Sequence, residues 1–359
     1  CSRMVADGKS PVACSEDRLG HRKFASYSVP DWVQHPQKLV PLKAAILFPG
    51  EQSSFSGMFH NMRKTPVVLG MLRAAAASLG FDVEEAMEDR GGSSGADQAL
   101  AYVADCILFE AFREAHADVA ERCQAVAGFG VGEYAALYAA GVITFQQGLE
   151  IVKVRSAALQ DAGNQVHVEA IVVRGMALDK LERLMKAAQK LDAEDGVHDP
   201  QVAIAQYWCP GGYVCVGTGS TVQKLHDAAV GDKDAEVRLL PDQHAGHTSL
   251  AKGAGAKVAA VIERLLPAMK PPRCELFLNQ SGRRVPPGKP PQAFADALMS
   301  HLSEPIQWES CVTQMMSWGI RQFYECGPNR SIRFMMRHYE HIIEAPFEIL
   351  RPADFTESF

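Results

Sequence analysis

Five residues of the chain have the spacing of a nucleophile turn, Gly128-Phe129-Gly130-Val131-Gly132. In enzymes with the pattern G-x-S-x-G, a strand runs into a helix through a tight turn, and the serine at its apex attacks the substrate. The apex residue here is Gly130, which adopts a positive φ without steric cost but has no atom that could attack. Neither Phe129 nor Val131 supplies a substitute. The pattern therefore predicts a nucleophile turn without its nucleophile.

Two other interpretations of these glycines stay open. A dinucleotide-binding loop needs G-x-G-x-x-G, and the third glycine position is occupied by Glu133. A carboxylate at a helix N-terminus would repel pyrophosphate, and a partial glycine pattern is weak evidence. The other interpretation is a glycine turn with no chemistry at all. We therefore predict no cofactor.

Composition excludes several classes of function. The chain has 359 residues, 47% of them hydrophobic, which is enough to bury a real core. Its net charge of -6 provides no basic surface for phosphate binding, so nucleic acid is not expected as a partner. The longest charge-free run, 201–223, is interrupted by Pro210-Gly211-Gly212, so no transmembrane helix is predicted.

Metal-ligand spacing is also missing from the sequence. The nine cysteines include no C-x-x-C pair. His244 and His247 form H-x-x-H, but no third ligand lies nearby in the sequence. No metal site is predicted.

The elements around the turn indicate a parallel sheet. Ala44–Phe48 and Ala125–Phe129 are short apolar runs typical of buried strands, and helical patterns cover Val67–Leu79, Ala96–His116 and Glu133–Ala140. Strands that alternate with helices predict an α/β fold with a sheet covered on both faces.

A different order of elements follows residue 165. The pattern predicts β-α-β-β-α-β, which is typical of a ferredoxin-like unit. We expect an inserted ferredoxin-like subdomain at 165–241 between two parts of a larger α/β body, 43–164 and 242–350. Residues 1–42 are predicted to be an N-terminal extension, and 351–359 a C-terminal tail.

Four ordered motifs give the chain a resemblance to a known family. They are "FPGEQSSFSGM" (Phe48–Met58), "GFGVGEYAALYAAGVITFQQGLEIVKVRSAALQ", "AGHTSLA" and "FYECGPNRSI". The chain resembles the malonyl-CoA:acyl carrier protein transacylases of fatty acid and polyketide synthesis over Pro41–Leu350. The resemblance implies an α/β-hydrolase-like body with an inserted ferredoxin-like subdomain, in agreement with the element order.

The resemblance also implies a role for each matched position. The family's nucleophilic serine falls on Gly130, and the histidine before it falls on Phe129. The glutamine of the F-P-G loop falls on Glu51, where a carboxylate would oppose the charge that an oxyanion hole stabilises. His247 matches the general base. Arg155 matches the arginine that pairs with the malonyl carboxylate.

Arg155 and His247 each have a second interpretation. Arg155 lies on a predicted helix that starts with a capping box, Thr144 and Gln147. Without substrate, its guanidinium could pair with an internal carboxylate such as Glu51. His247 without a serine nearby could be a packed or hydrogen-bonded remnant.

These positions predict a pseudoenzyme, a transacylase fold without transacylase activity. We expect it to be an accessory subunit of a larger complex, with its N-terminal extension as a contact, in a mitochondrion or plastid. One alternative is a non-catalytic binding module for acyl carrier protein, CoA or a malonyl-type carboxylate at Arg155. Another is a residual acyltransferase or thioesterase in which His247 activates water.

Overall fold

A computed structural model gives the fold. It describes residues 41–50, 55, 64–89, 97–164, 166–240, 244–328, 330–340 and 348–350. Contacts divide the chain into two units, Cys1–Leu39 and Val40–Phe359, and every described residue lies in the second. The predicted C-terminal tail and all but the last two residues of the predicted N-terminal extension lie outside the described residues.

Strands and helices alternate through most of the described chain. The strands are β1 (Leu42–Phe48), β2 (Cys123–Gly128), β3 (Val168–Arg174), β4 (Val202–Cys209), β5 (Gly212–Thr218), β6 (Glu236–Leu240), β7 (Glu275–Phe277), β8 (Arg284–Val285), β9 (Gln322–Glu325) and β10 (Glu348–Leu350). The first six helices are α1 (Pro66–Leu79), α2 (Val83–Asp89), α3 (Asp97–Ala115), α4 (Ala117–Arg122), α5 (Gly132–Ala139) and α6 (Phe145–Gly163). The others are α7 (Leu178–Glu194), α8 (Gly219–Val230), α9 (Lys252–Leu265), α10 (Ala295–Ser300), α11 (Trp308–Ser317) and α12 (Ser331–Met336).

The larger sheet has the strand order β10-β9-β1-β2-β7-β8. Its first five strands pair in parallel, and β8 pairs antiparallel with β7. Ala44–Phe48 of β1 is fully buried, as expected for a strand covered on both faces. The predicted α/β class with a parallel sheet is confirmed.

The smaller sheet contains β3 to β6 in the order β4-β5-β3-β6, with every pair antiparallel. Helices α7 and α8 follow β3 and β5 respectively, which gives the predicted β-α-β-β-α-β order. Strand β4 also contacts the body, because the N–H of Tyr207 donates to the carbonyl of Ile306 at 2.8 Å. The ferredoxin-like unit is present, whereas its exact boundaries stay a prediction.

Some predicted elements differ at their ends. The helix expected at Ala96–His116 is observed over Asp97–Ala115, and the strand expected at Ala125–Phe129 is observed over Cys123–Gly128. The short elements α2, α4, β7, β8 and α12 were not predicted, since fewer than eight residues carry little periodicity. Across the described ranges, no helix combines the length and apolar character needed to cross a bilayer.

Candidate functional site

The turn between β2 and α5 is built from three glycines. Gly130 at its apex is buried and has a φ of +57°, a conformation that favours glycine. A Cβ atom at Gly128 would collide with the backbone of Gly132. One at Gly132 would lie 2.6 Å from the carbonyl oxygen of Phe48. Two of the glycines therefore allow close packing, and the third allows the turn itself.

Asn279, which follows β7 by two residues, holds this turn from the neighbouring strand. Its Oδ1 accepts a hydrogen bond from the N–H of Gly130 at 2.9 Å, and its Nδ2 donates to the carbonyl of Gly128. Asn279 is fully buried. Because buried backbone groups need partners, this one amide satisfies two groups that the turn leaves outside the sheet and helix.

Helix α6 positions Arg155. The predicted capping box at its start is present, with the Thr144 side chain accepting from the N–H of Gln147 at 3.2 Å. The apolar side chains of one helix face are buried: Phe145, Leu149, Val152 and Leu159. Arg155 is also fully buried and donates a hydrogen bond to the side-chain oxygen of Gln98 on α3. Packing on both helices therefore fixes the guanidinium.

His247 is held in a left-handed backbone conformation, with a φ of +66°. Such a conformation costs a non-glycine residue about 1–3 kcal/mol, so the surroundings must impose it. The N–H of His247 donates to the carbonyl of Leu302 at 2.7 Å. Its side chain is 1% exposed. The loop before α9 thus presents the imidazole in one fixed orientation.

The contacts of the His247 ring fix its tautomer. Nδ1 lies 3.0 Å from the carbonyl oxygen of His301, which only accepts, so Nδ1 carries the proton. Nε2 lies 3.3 Å from Nη2 of Arg155, which only donates, so Nε2 accepts. The ring is therefore a neutral imidazole whose Nε2 has the character of a base.

A buried carboxyl group lies behind the histidines. Glu133, in the first turn of α5, is fully buried, and its Oε1 lies 3.7 Å from Nδ1 of His301. Burial raises the pKa of Glu133 to about 8, although a hydrogen bond from the backbone N–H of Asn279 and the charge of Arg155 lower it. Polar contacts therefore run from the turn through Asn279, Glu133 and His301 to His247.

The predicted site residues are only partly brought together. Arg155 and His247 contact each other directly, and Gly130 joins them through the series of contacts just described. The ring of Phe129 packs edge-on against Trp308, with 5.6 Å between ring centroids. Glu51 lies outside the described residues, and so does its predicted pairing with Arg155.

Sequence reasoning missed Gln98, Asn279 and His301. Asn279 had a usable signal, because it follows the apolar run "LFL" and site residues often lie beyond the carboxyl ends of parallel strands. His301 contributes its backbone carbonyl, which no side-chain pattern indicates. Within the described ranges, no three histidine, cysteine or acidic side chains are grouped to hold a metal ion.

Relatives match most of the chain. The human mitochondrial malonyl-CoA-acyl carrier protein transacylase is 27% identical over 315 residues, which is 85% of this chain and 79% of that protein. The Escherichia coli K12 malonyl CoA-acyl carrier protein transacylase is 25% identical over 291 residues, 80% of this chain and 89% of that protein. The chain is therefore similar to malonyl-CoA:acyl carrier protein transacylases over about four fifths of its length. No family model matches it.

Solved structures of transacylases share the fold. The Acinetobacter baumannii protein gives a TM-score of 0.77 at 23% identity, covering 89% of this chain and 97% of its own. The Coxiella burnetii malonyl CoA-acyl carrier protein transacylase gives 0.76 at 21% identity, covering 90% and 98%. A malonyl-transacylase in complex with a type II polyketide acyl carrier protein gives 0.75 at 23% identity, covering 88% and 99%.

The similarity to these proteins corrects one prediction. The interpretation of this chain as a pseudoenzyme is wrong, because the proteins that match four fifths of it are named as transacylases. A missing side chain at Gly130 removes one attacking atom. It does not remove the buried cation and the base that the same site contains.

Proposed function

We propose that this protein binds a malonyl-type thioester, with the free carboxylate on Arg155, and transfers the acyl group to a thiol supplied by the acceptor. The contact between Nη2 of Arg155 and Nε2 of His247, at 3.3 Å, carries this proposal. It brings a cation and a base together at one buried point. A carboxylated acyl group is the substrate class that uses both.

The carboxylate would bind to the guanidinium fork. Arginine presents parallel N–H donors that match the two oxygens of a carboxylate. Burial strengthens this attraction, because the effective dielectric constant is lower than in water. Gln98 and the packed face of α6 hold the fork, so little freedom is lost on binding.

The attacking atom would come from the acceptor, because Gly130 has no side chain. The acceptor thiol gives its proton to Nε2 of His247, and its sulfur attacks the thioester carbonyl. The bond from that carbon to the first sulfur then breaks, and the proton passes from His247 to the departing thiolate. The carbonyl of His301 holds the Nδ1–H and stabilises the imidazolium that forms between these steps. Water in place of the thiol would give hydrolysis.

Acyl carrier protein is the acceptor that the relatives support. The human and bacterial relatives are named for transfer between malonyl-CoA and this carrier. One solved neighbour is a malonyl-transacylase bound to its carrier protein. CoA and carrier protein both present a thiol, so the same site would serve either direction of transfer.

The experiment is a transfer assay with malonyl-CoA and a holo acyl carrier protein, read as the mass of the carrier. We expect one malonyl group on the carrier with the wild type. Arg155→Met removes the charged hydrogen bonds to the carboxylate, so transfer falls roughly 10- to 100-fold. Arg264→Met removes only an exposed ion pair with Glu150 and serves as the control. Equal transfer by both variants would exclude the proposed role of Arg155.

The names of three relatives indicate a cellular compartment. The human, mouse and Drosophila melanogaster relatives are named as mitochondrial proteins. We infer a mitochondrial location for this chain, and the plastid remains a prediction without such support. Immunolocalisation against a mitochondrial marker tests this, and staining outside that compartment would contradict it.

A role as an accessory subunit is the second candidate. The side chain of Phe334 on α12 is 59% exposed and would be available for contact with another subunit. Transacylase activity and membership of a complex are compatible. Native gel filtration tests this role, which requires elution well above 39.1 kDa. Elution as a monomer would contradict it.

A further inference from the structure

A cavity of about 440 Å³ lies beside the proposed site, and the residues of that site do not line it. Its lining residues come from the β7–β8 hairpin and from the segment that leads into and through α10. Sites for small molecules have volumes of about 300–1,000 Å³, so this cavity is large enough to hold one. Gln280, which follows Asn279, and Ser300, which precedes His301, both line it.

One part of the cavity wall is apolar and buried. Leu278, Val285 and Phe294 line it and are 2%, 6% and 6% exposed respectively. A flat, weakly polar ring of a ligand would be removed from water against these side chains, which is favourable. This wall therefore suits the base of a nucleoside.

Three cationic side chains line the same cavity, those of Arg283, Arg284 and Lys289. Arg284 is already engaged, because its Nη1 lies 3.1 Å from the carboxylate of Glu275 and its Cζ lies 3.9 Å from the centroid of the Trp318 ring. Within the part of the chain that the structure describes, Arg283 and Lys289 have no carboxylate partner. These two side chains are therefore available to an anion, although the net charge of the chain is -6.

The backbone that carries Lys289 is stiff. Lys289 lies in the segment Pro286-Pro287-Gly288-Lys289-Pro290-Pro291, in which each proline ring fixes its φ. Its N–H donates to the carbonyl of Pro286 at 3.2 Å, and the N–H of Gly288 donates to the carbonyl of Pro272 at 2.9 Å. Little backbone freedom is therefore lost when a ligand binds at this edge of the cavity.

Asp296 is the acid among the lining residues, and it is exposed. A carboxylate repels phosphate, but it accepts hydrogen bonds from ribose hydroxyls, as an acidic residue does in dinucleotide sites. The cavity thus combines an apolar wall, two cations and one acceptor. These match the base, the phosphates and the ribose of a nucleotide.

We propose that this cavity binds a nucleoside phosphate, with its base against Val285 and Phe294, its ribose hydroxyls on Asp296 and its phosphates on Arg283 and Lys289. Arginine and lysine both form charge-assisted hydrogen bonds to phosphate oxygens. Two ligands share this chemistry, a free nucleotide and the nucleotide end of CoA. The inference does not rest on the proposed function, because no residue of the cavity takes part in the transfer.

The test is isothermal titration calorimetry of the full chain with ADP as the probe. We expect saturable binding by the wild type. The double variant Arg283→Gln, Lys289→Gln loses two charged donors to phosphate, so its affinity for ADP falls roughly 10- to 100-fold. The control is Lys257→Gln with Arg264→Gln, which removes the same charge from two ion pairs on α9. All four side chains are exposed, so both variants should fold.

Adenosine 3′,5′-bisphosphate distinguishes the two sources, because CoA also has a phosphate on the ribose 3′ position. That phosphate would face the carboxylate of Asp296, so we expect the wild type to bind the bisphosphate more weakly than ADP. Asp296→Asn should reduce the difference. Tighter binding of the bisphosphate would identify the nucleotide end of CoA as the source.

Two results would overturn the inference. One is the absence of ADP binding at millimolar concentrations. The other is the same affinity for ADP in Arg283→Gln, Lys289→Gln as in the control. Neither result contradicts the proposed transfer, which the carrier assay tests separately.

Discussion

The side-chain oxygen of Asn279 accepts a hydrogen bond from the backbone N–H of Gly130 at 2.9 Å, across 149 positions of sequence. The same side chain donates to the carbonyl of Gly128, and its own N–H donates to Glu133. One residue after β7 therefore connects the apex of the turn, the strand before it and the buried carboxyl of the helix after it. Its contacts explain how a turn without side-chain atoms at its apex keeps a defined shape.

Replacement of Asn279 should loosen that turn. Asn279→Ala leaves the N–H of Gly130 and the carbonyl of Gly128 buried without a partner, and each such group costs about 1–3 kcal/mol. Denaturant unfolding measures the loss, with the neighbouring Gln280→Ala as the control. Equal stability of the two variants would show that the turn does not depend on this amide.

Close packing of the turn predicts a contrast between two glycines. Gly132→Ala places a methyl group against the carbonyls of Phe48 and Pro49, and relief of that overlap costs about 1–3 kcal/mol. Gly163→Ala, at the end of α6, meets nothing within 4 Å, so it should be neutral or slightly stabilising. Melting temperatures compare the two. An unchanged melting temperature for Gly132→Ala would mean that β1 and α5 lie farther apart than in this structure.

A serine at the apex should provide an internal nucleophile. Gly130→Ser forces a non-glycine residue into a φ of +57° and costs about 1–3 kcal/mol of stability. Its hydroxyl would be activated by His247, so malonyl-CoA should leave a covalent malonyl group on the variant. Mass spectrometry of the intact protein detects that group. A folded variant that stays unmodified would place the apex out of reach of His247.

Glu133 predicts a pH dependence of stability. Burial raises its pKa in the folded protein to about 8, above the ordinary value of 4.5, so the folded state binds more protons between these values. Its contribution to stability is present below pH 4.5 and is lost as the pH rises through 8, by up to ~1.4 kcal/mol per pH unit. The groups around it are His301, Asn279, Arg155 and Cys311.

The matched variant for this prediction is Glu133→Gln, which keeps an acceptor for Asn279 and removes the titration. Urea unfolding at pH 5, 6, 7 and 8 gives the free energy of unfolding of both proteins. We expect the free energy of unfolding of the wild type to fall relative to that of the variant as the pH rises. A difference that does not change with pH would show that Glu133 does not titrate in this range.

The sequence predicted the long elements well, because their signals are local. Helix α1 was expected at Val67–Leu79 and occupies Pro66–Leu79, where a proline in the first turn and a left-handed Gly80 mark its ends. The ferredoxin-like order was equally readable. Strand β7 has only three residues, Glu275–Phe277, and its place depends on pairing with β2 rather than on its own pattern.

Sequence reasoning predicted the site residues that can be recognised by their type, and it missed the residues that act through contacts distant in sequence. Arg155 and His247 were found by family resemblance, and they touch. Asn279 and His301 act across 149 and 54 positions respectively, through an amide and a backbone carbonyl, which no sequence spacing reveals. The prediction of inactivity, drawn from the residues at Gly130, Phe129 and Glu51, was wrong, since the relatives that match four fifths of the chain are named as transacylases.

The central claim is that the acyl group passes directly to the thiol of the acceptor, without first forming a covalent bond to this chain. Incubation with radiolabelled malonyl-CoA tests it, first without and then with holo acyl carrier protein. The account predicts no label on the chain in either case and label on the carrier when it is present. Label bound covalently to the chain, or a carrier that stays unlabelled, would contradict it.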